Sequence, residues 1–473
     1  MLGFTSPAYL AFLGVSAVLY RFCPLRLRAA YLLALSYLFY MSYNLWAAAL
    51  LAGATLATFT AARLIDNGRT QGHRWTRLIV AISVIGLTGL LGFYKIVPLT
   101  GARSLVVPLG VSYYTFKLIS YVVDVYWEKY RAGTDLIGFS LYVVFFPQIV
   151  AGPIQRPGDF LAQLPSASPS VSEGVLRIVA GLYKKLLIAD NLGISVSYVY
   201  THMTSLTGAP LLLGFWLFPL QLYVDFSGLT DIAIGSGLLF GIRGPENFDR
   251  PFSATSISGY WRRWHMSLTT WLTDYVFTPL RMATRNAGQW GLALSIAINM
   301  ISIGLWHGLT WTYFAFGCTH AIYLIVDALS AGKRRKFFKR RPELNEAGDW
   351  LGWGLTMFLV AIAAVFFRAR SLSDAGWLFA HVANLSNLTA IDWTGLINPA
   401  GVRGVAIGLA GYAVLDLLGR FDLRAAISRA MTGAPRWVHW FRYAAAAMLL
   451  IFSLLLLLAQ SSSNRAAFLY EIF

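Results

Sequence analysis

Twelve apolar stretches, most of them long enough to cross a bilayer, occupy the greater part of this 473-residue chain. They fall at about 7–22, 30–62, 77–97, 105–127, 136–152, 174–200, 210–240, 288–307, 311–330, 350–367, 402–418 and 441–460. A hydrocarbon core about 30 Å thick is crossed by a helix of about 20 apolar residues. Lipid offers no partner to backbone N–H and C=O groups, so each span must satisfy its own, and a helix does so within one segment. The expectation is therefore an all-α, polytopic membrane protein. It has roughly 11 transmembrane helices plus short re-entrant or interfacial ones. The longest stretches exceed one straight crossing and predict tilt or a break. No polar stretch is long enough to bury a core of its own, so residues 1–473 read as a single membrane domain. No internal repeat is visible, which argues against the repeat-built transporters.

Only 12% of residues are charged, against about 25% in soluble domains. Lys and Arg number 38 and Asp and Glu 21, which gives a net charge of +17. In a soluble chain that excess would indicate nucleic acid. Here the basic residues sit mostly in short loops, where the positive-inside rule and anionic headgroups account for them, so no nucleic-acid partner is expected. KRRKFFKRR, Lys333 to Arg341, carries seven positive charges in nine residues and is expected to stay cytoplasmic. Arg281 and Arg285 precede the span at 288. With both ends cytoplasmic, residues 288–332 form a hairpin whose tip is GLWHGLTW, Gly304 to Trp311. Arg21, Arg26 and Arg28 follow the first apolar stretch, whereas a cleavable signal has its charges in front, so that stretch reads as a first transmembrane helix. Cys23 and Cys318 form no C-x-x-C pair and imply neither a disulfide framework nor a zinc site; no metal is expected.

His307 is the leading chemical candidate. An ionisable group inside a span is costly unless it faces a cavity or a partner, and imidazole exchanges protons near neutrality. Gly304 and Gly308 permit close approach of backbone or substrate, and Trp306 and Trp311 could wall a slot around it. The alternative is a histidine bonded to a neighbouring helix, with the tryptophans as interface anchors. His320 lies thirteen residues on and would point elsewhere on one continuous helix, but a tip at Gly308 breaks that relation.

YWRRWHMS, Tyr260 to Ser267, combines Arg262, Arg263 and His265 with Trp261 and two further rings. Guanidinium forks match phosphate oxygens, which suits a phosphorylated donor; snorkelling onto lipid phosphates is the alternative. Asp225 sits inside an apolar span and needs a partner; a structural or orienting role is favoured. Lys184 and Lys185 precede Asp190 and either contact a donor phosphate or mark a cytoplasmic boundary. In FFPQIVAGPIQRP, residues 145–157, proline and glycine interrupt an apolar span, and broken helices persist only against protein or a cavity.

Seven segments together resemble the membrane-bound O-acyltransferase family, and within it the bacterial branch of alginate O-acetyltransferases and related envelope enzymes. They are PLGVSYYTFKLISYVVDVY (108–126), FFPQIVAGPIQRP, GLYKKLLIADN (181–191), YVDFSGLTDIAIG (223–235), PENFDRPF (245–252), YWRRWHMSLTTWLTDYVFTPL (260–280) and GLWHGLTWTYFAFGCTHA (304–321). They follow the family's order and place a catalytic core at about 100–330. The closing FLYEIF is also family-like.

The resemblance implies that His307 is the catalytic histidine, with His320 and His265 in supporting roles. It implies a helical fold around a central tunnel, in a multi-pass protein of the bacterial inner membrane. The donor is a cytoplasmic thioester, acetyl-CoA or an acyl-carrier thioester, and no tightly bound cofactor is expected. The acceptor is a polysaccharide hydroxyl from the other side, and a periplasmic or membrane-tethered acyltransferase partner is expected. His307 would act as general base in direct transfer. One departure is MATRNAGQW after TPLR, where the alginate branch has a glycine-rich turn. WHMSLTTW and GLWHGLTW also resemble the D-alanyl transfer branch, so D-alanyl transfer from a carrier protein to teichoic acid-type acceptors stays open. Outside this class stand a proton-coupled transporter, with His307, His320 and Asp225 as relay, and a scaffold for a soluble acyltransferase.

Overall fold

Helices form all the regular structure in this computed structural model, which describes residues 3–100, 106–384, 406 and 408–413. No strand occurs among the described residues. Six helical segments are long and apolar enough to cross a membrane: Leu45–Thr70, Thr76–Ile96, Ala209–Leu238, Arg285–His307, Trp311–Arg340 and Pro342–Arg368. The spans expected at 402–418 and 441–460 lie largely or wholly outside the described residues, as does FLYEIF.

The chain groups into two units. The first gathers residues 3–178 with 230–246. The expected span at 30–62 is broken there into Arg28–Met41 and Leu45–Thr70, with Asn44 capping the second through a bond from the Ala47 N–H. The Thr76–Ile96 helix is only 11% buried, so most of its surface is left for lipid. Val111–Tyr126 is the reverse case, buried on nearly every side. The 145–157 segment ends the Leu136–Val144 helix and turns through a short Phe146–Ile149 helix, with every residue from Phe145 to Gln148 buried. Its Gln155 lines a cleft of about 520 Å³ together with Gln163, Ser170 and Arg243. Thus the interrupted span does line a cavity. At this cleft Arg243 hydrogen-bonds both carboxylate oxygens of Glu173 and holds that carboxyl below its ordinary range. Deeper in the unit, Arg177 pairs with Asp231 and Glu246. A Cβ added at Gly235 would stand 2.7 Å from the Gly174 carbonyl, so two helices approach there at glycines, as small residues allow in lipid.

The second unit holds residues 179–229 and the described residues from 247 onward. The hairpin expected over 288–332 is present. Gly288–His307 runs out, residues 308–310 turn, and Trp311–Arg340 returns. The basic run is helical up to Arg340 and forms the end of the returning helix: Lys and Arg are good helix formers and extend it beyond the apolar part. Asn345–Arg368 then runs back alongside. The polar, aromatic segment from 247 to 285 folds into short helices, Ile257–Trp261, Met266–Leu272 and Thr278–Ala283. Tyr260, Trp261, Trp264, Leu268, Trp271 and Leu272 are all buried, so their side chains serve as core.

Candidate active site

His307 ends the outgoing hairpin helix, and Gly308 leaves it in an extended conformation at φ 178°. Thr310 starts the return helix, its hydroxyl accepting from the Tyr313 N–H at 3.4 Å. The two helices meet closely. A Cβ on Gly304 would lie 2.2 Å from the Tyr313 carbonyl oxygen, and one on Gly317 2.8 Å from the Ile301 Cα. A Cβ on Gly308 would fall 2.6 Å from the Tyr313 ring. The glycines therefore let backbone approach backbone, and this closeness fixes the orientation of the tip.

The His307 side chain is buried, 5% exposed, within a ring of aromatic groups. The Phe367 and Trp306 rings stand edge-on at 4.8 and 4.9 Å, and Tyr313 stacks at 6.2 Å. Trp306 also contacts His265 at 5.9 Å, and Phe316 touches both His307 at 6.4 Å and His320 at 4.8 Å. The three histidines are thus linked through single aromatic rings, and the break at Gly308 brings His320 into the same cluster.

His320 and His265 are held differently. The Trp261 indole N–H donates to His320 Nδ1 at 3.2 Å. Indole nitrogen only donates, so Nδ1 must accept and the neutral ring carries its proton on Nε2. His265 precedes the Met266–Leu272 helix with left-handed backbone, φ 43°. It is 1% exposed, packs edge-on to Phe226 at 4.7 Å, and neither ring nitrogen has a hydrogen-bond partner among the described residues.

Other expected site residues lie elsewhere. Trp311 is 74% exposed and contacts Phe314, so it does not wall a slot with Trp306; it suits an interface anchor. Arg263 donates to Ser253 Oγ at 3.2 Å and faces Asp249, while Arg262 is exposed. Lys185 is buried between Asp190 at 2.6 Å and Asp225 at 3.0 Å, so it is committed to carboxylates rather than to a donor phosphate. The π-helical turn Tyr183–Ala189 makes this pairing possible, since its longer repeat brings residues five apart together. Lys184 lies half-buried on the same turn. Asp225 thus finds its partner in a lysine. Among the described residues no cluster of His, Cys, Asp and Glu could hold a metal ion. Tyr313, Phe367 and Arg368 did not stand out in sequence. Aromatic residues are common in apolar spans, and an arginine ending one reads as snorkelling to the interface.

The family model for membrane-bound O-acyltransferases matches residues 131–364, which include the whole hairpin. A probable alginate O-acetylase of Azotobacter vinelandii is 32% identical over 463 residues, covering 92% of this chain and 87% of the relative. The chain belongs to the membrane-bound O-acyltransferase family. Its activity is O-acyl transfer, and it is a multi-pass membrane protein. Within the family, a peptidoglycan O-acetyltransferase of Helicobacter pylori is 30% identical, with 72% of this chain and 71% of the relative aligned. A teichoic acid D-alanyltransferase of Bacillus subtilis is also 30% identical, but over only 46% of this chain and 58% of the relative.

Proposed function

We propose that this enzyme transfers an acetyl group from a cytoplasmic thioester, acetyl-CoA or an acyl-carrier thioester, to a hydroxyl of an envelope or exported polysaccharide, or to a partner that passes it on. The observation that carries the chemistry is His307: an imidazole at a hairpin tip, enclosed by aromatic rings. In this reading His307 accepts the proton of the acceptor hydroxyl as the oxygen attacks the thioester carbonyl. The C–S bond then breaks, the ester forms, and the imidazolium returns its proton to the thiolate. Proton transfer of this kind contributes about 10²–10⁴-fold to rate. His320, oriented by Trp261, and His265 act in support.

The basic end of the return helix supports an inner-membrane orientation with residues 333–341 in the cytoplasm. A 20-residue helix then carries His307 about 30 Å away, toward the face where an exported acceptor arrives. Acetyl is favoured over D-alanyl because the acetyl-transferring relatives align over far more of the chain. Radiolabelled acetyl-CoA and a D-alanyl carrier thioester, each supplied to inside-out vesicles, separate the two. Ester label from acetyl donors alone is expected; label from the D-alanyl carrier alone would replace acetyl with D-alanyl.

A further inference from the structure

Arg368 is the last residue of the Asn345–Arg368 helix and follows Phe367, whose ring stands 4.8 Å from His307. Its guanidinium carbon lies 5.6 Å from the centre of the Tyr200 ring. Tyr313, stacked on His307, is also within its electrostatic reach. Among the described residues Arg368 makes no hydrogen bond or ion pair through its side chain, and its Nε is fully shielded. The formal charge near it is a second cation, Arg370. The Tyr200 hydroxyl is likewise buried without a partner, in a residue 5% exposed.

This sets Arg368 apart from the buried cations that face carboxylates; Lys117, also buried, donates instead to the Tyr142 carbonyl. Arg177 faces Asp231 and Glu246, and Lys185 faces Asp190 and Asp225. A guanidinium drawn out of water beside a like charge is costly, and an anion in its donor fork relieves that cost. The cation–π contact with Tyr200 offsets part of it but leaves the in-plane N–H donors for a ligand.

We propose that Arg368, with the Tyr200 hydroxyl beside it, binds an anionic group of the acyl acceptor and so sets the acceptor hydroxyl against His307. The inference rests on the acyltransferase reading of His307 and adds the charge of the acceptor to it. A carboxylate or a phosphate diester both fit the fork, and the test separates them. Equilibrium binding is measured in nanodiscs with full-length His307→Ala protein, so that no turnover is needed. The probes are an oligouronate, the same oligosaccharide with its carboxyls reduced to alcohols, and an oligo(glycerol phosphate). At least one anionic probe is expected to bind tenfold or more tighter than the neutral one, and the tighter anion names the source.

Adding Arg368→Gln should erase that preference while leaving the neutral probe unchanged. Arg368→Lys, which keeps the charge and guards against a folding failure, should retain part of it. In the enzyme with His307 intact, Arg368→Gln should raise KM for the acidic acceptor with kcat within about threefold. Equal binding of all probes, or a preference surviving Arg368→Gln, would overturn the proposal. So would an equal fall in kcat on acidic and neutral acceptors, which marks a group acting on the transition state. Charge-dependent binding with no acyl transfer by the wild-type protein would uphold the anion site and remove the acyltransferase reading.

Discussion

At the scale of single residues, buried polar groups in the second unit meet burial in different ways. His320 takes a hydrogen bond from Trp261, Lys185 takes two carboxylates, and Arg368 takes a tyrosine face. Trp261→Phe keeps the ring and removes the donor. It should cost about 1–3 kcal/mol, because the buried His320 Nδ1 loses its partner. A lowered thermal midpoint in detergent or nanodiscs would check this, and an unchanged midpoint would contradict it. Lys185→Met is expected to be harsher, about 3–5 kcal/mol, since it strands two carboxylates that the lysine compensates. Asp225→Asn should cost less, because Asp190 still faces the lysine; the order of the two midpoints is the check. Of these residues the sequence made His307 legible, since an ionisable side chain amid lipid-compatible neighbours has few bland explanations. It could not separate Lys185 from a ligand-binding lysine. The partners that decide the matter are Asp225, forty residues away, and Asp190, reached through a π-helical turn that no simple periodicity announces.

At the scale of elements, the hairpin is the decisive piece. Its two helices were legible as apolar runs around a Gly-rich polar tip, with basic residues at both ends. Its contact was not, because the fit at Gly304 and Gly317 depends on which glycines face the partner helix. Gly304→Ala puts a methyl 2.2 Å from the Tyr313 carbonyl and must part the helices or shift their register. A loss of about 1–3 kcal/mol is expected, as for other overpacked contacts. Because Tyr313 also stacks on His307, transfer should fall further than stability. Gly354 has open space at its Cβ, so Gly354→Ala is the matched control and should leave both intact. A Gly304→Ala enzyme with wild-type stability and rate would mean that the tip geometry does not position His307. Elsewhere, length was the weak point of the reading. The run at 30–62 is two helices because Asn44 offers a cap, and the basic run at 333–341 continues a helix because its side chains favour one.

At the scale of the molecule, the sequence left little freedom: so much apolar sequence with so few charges requires lipid, and continuous apolar runs of this length cross lipid as helices. Exposed tryptophans bracket the hairpin, Trp290 near its start and Trp311 at its tip, each in a position suited to a membrane–water interface. With the basic run on the cytoplasmic side, His307 and Arg368 both fall at helix ends on the opposite side, where an exported acceptor would be met. The central claim is that His307 carries acetyl transfer to an envelope polysaccharide. It is tested most directly by ester-linked acetate on that polysaccharide in three strains: wild type, a deletion, and His307→Ala at matched membrane level. Loss of acetate is expected in both altered strains. Wild-type acetate in the His307→Ala strain, alongside loss in the deletion, would contradict it.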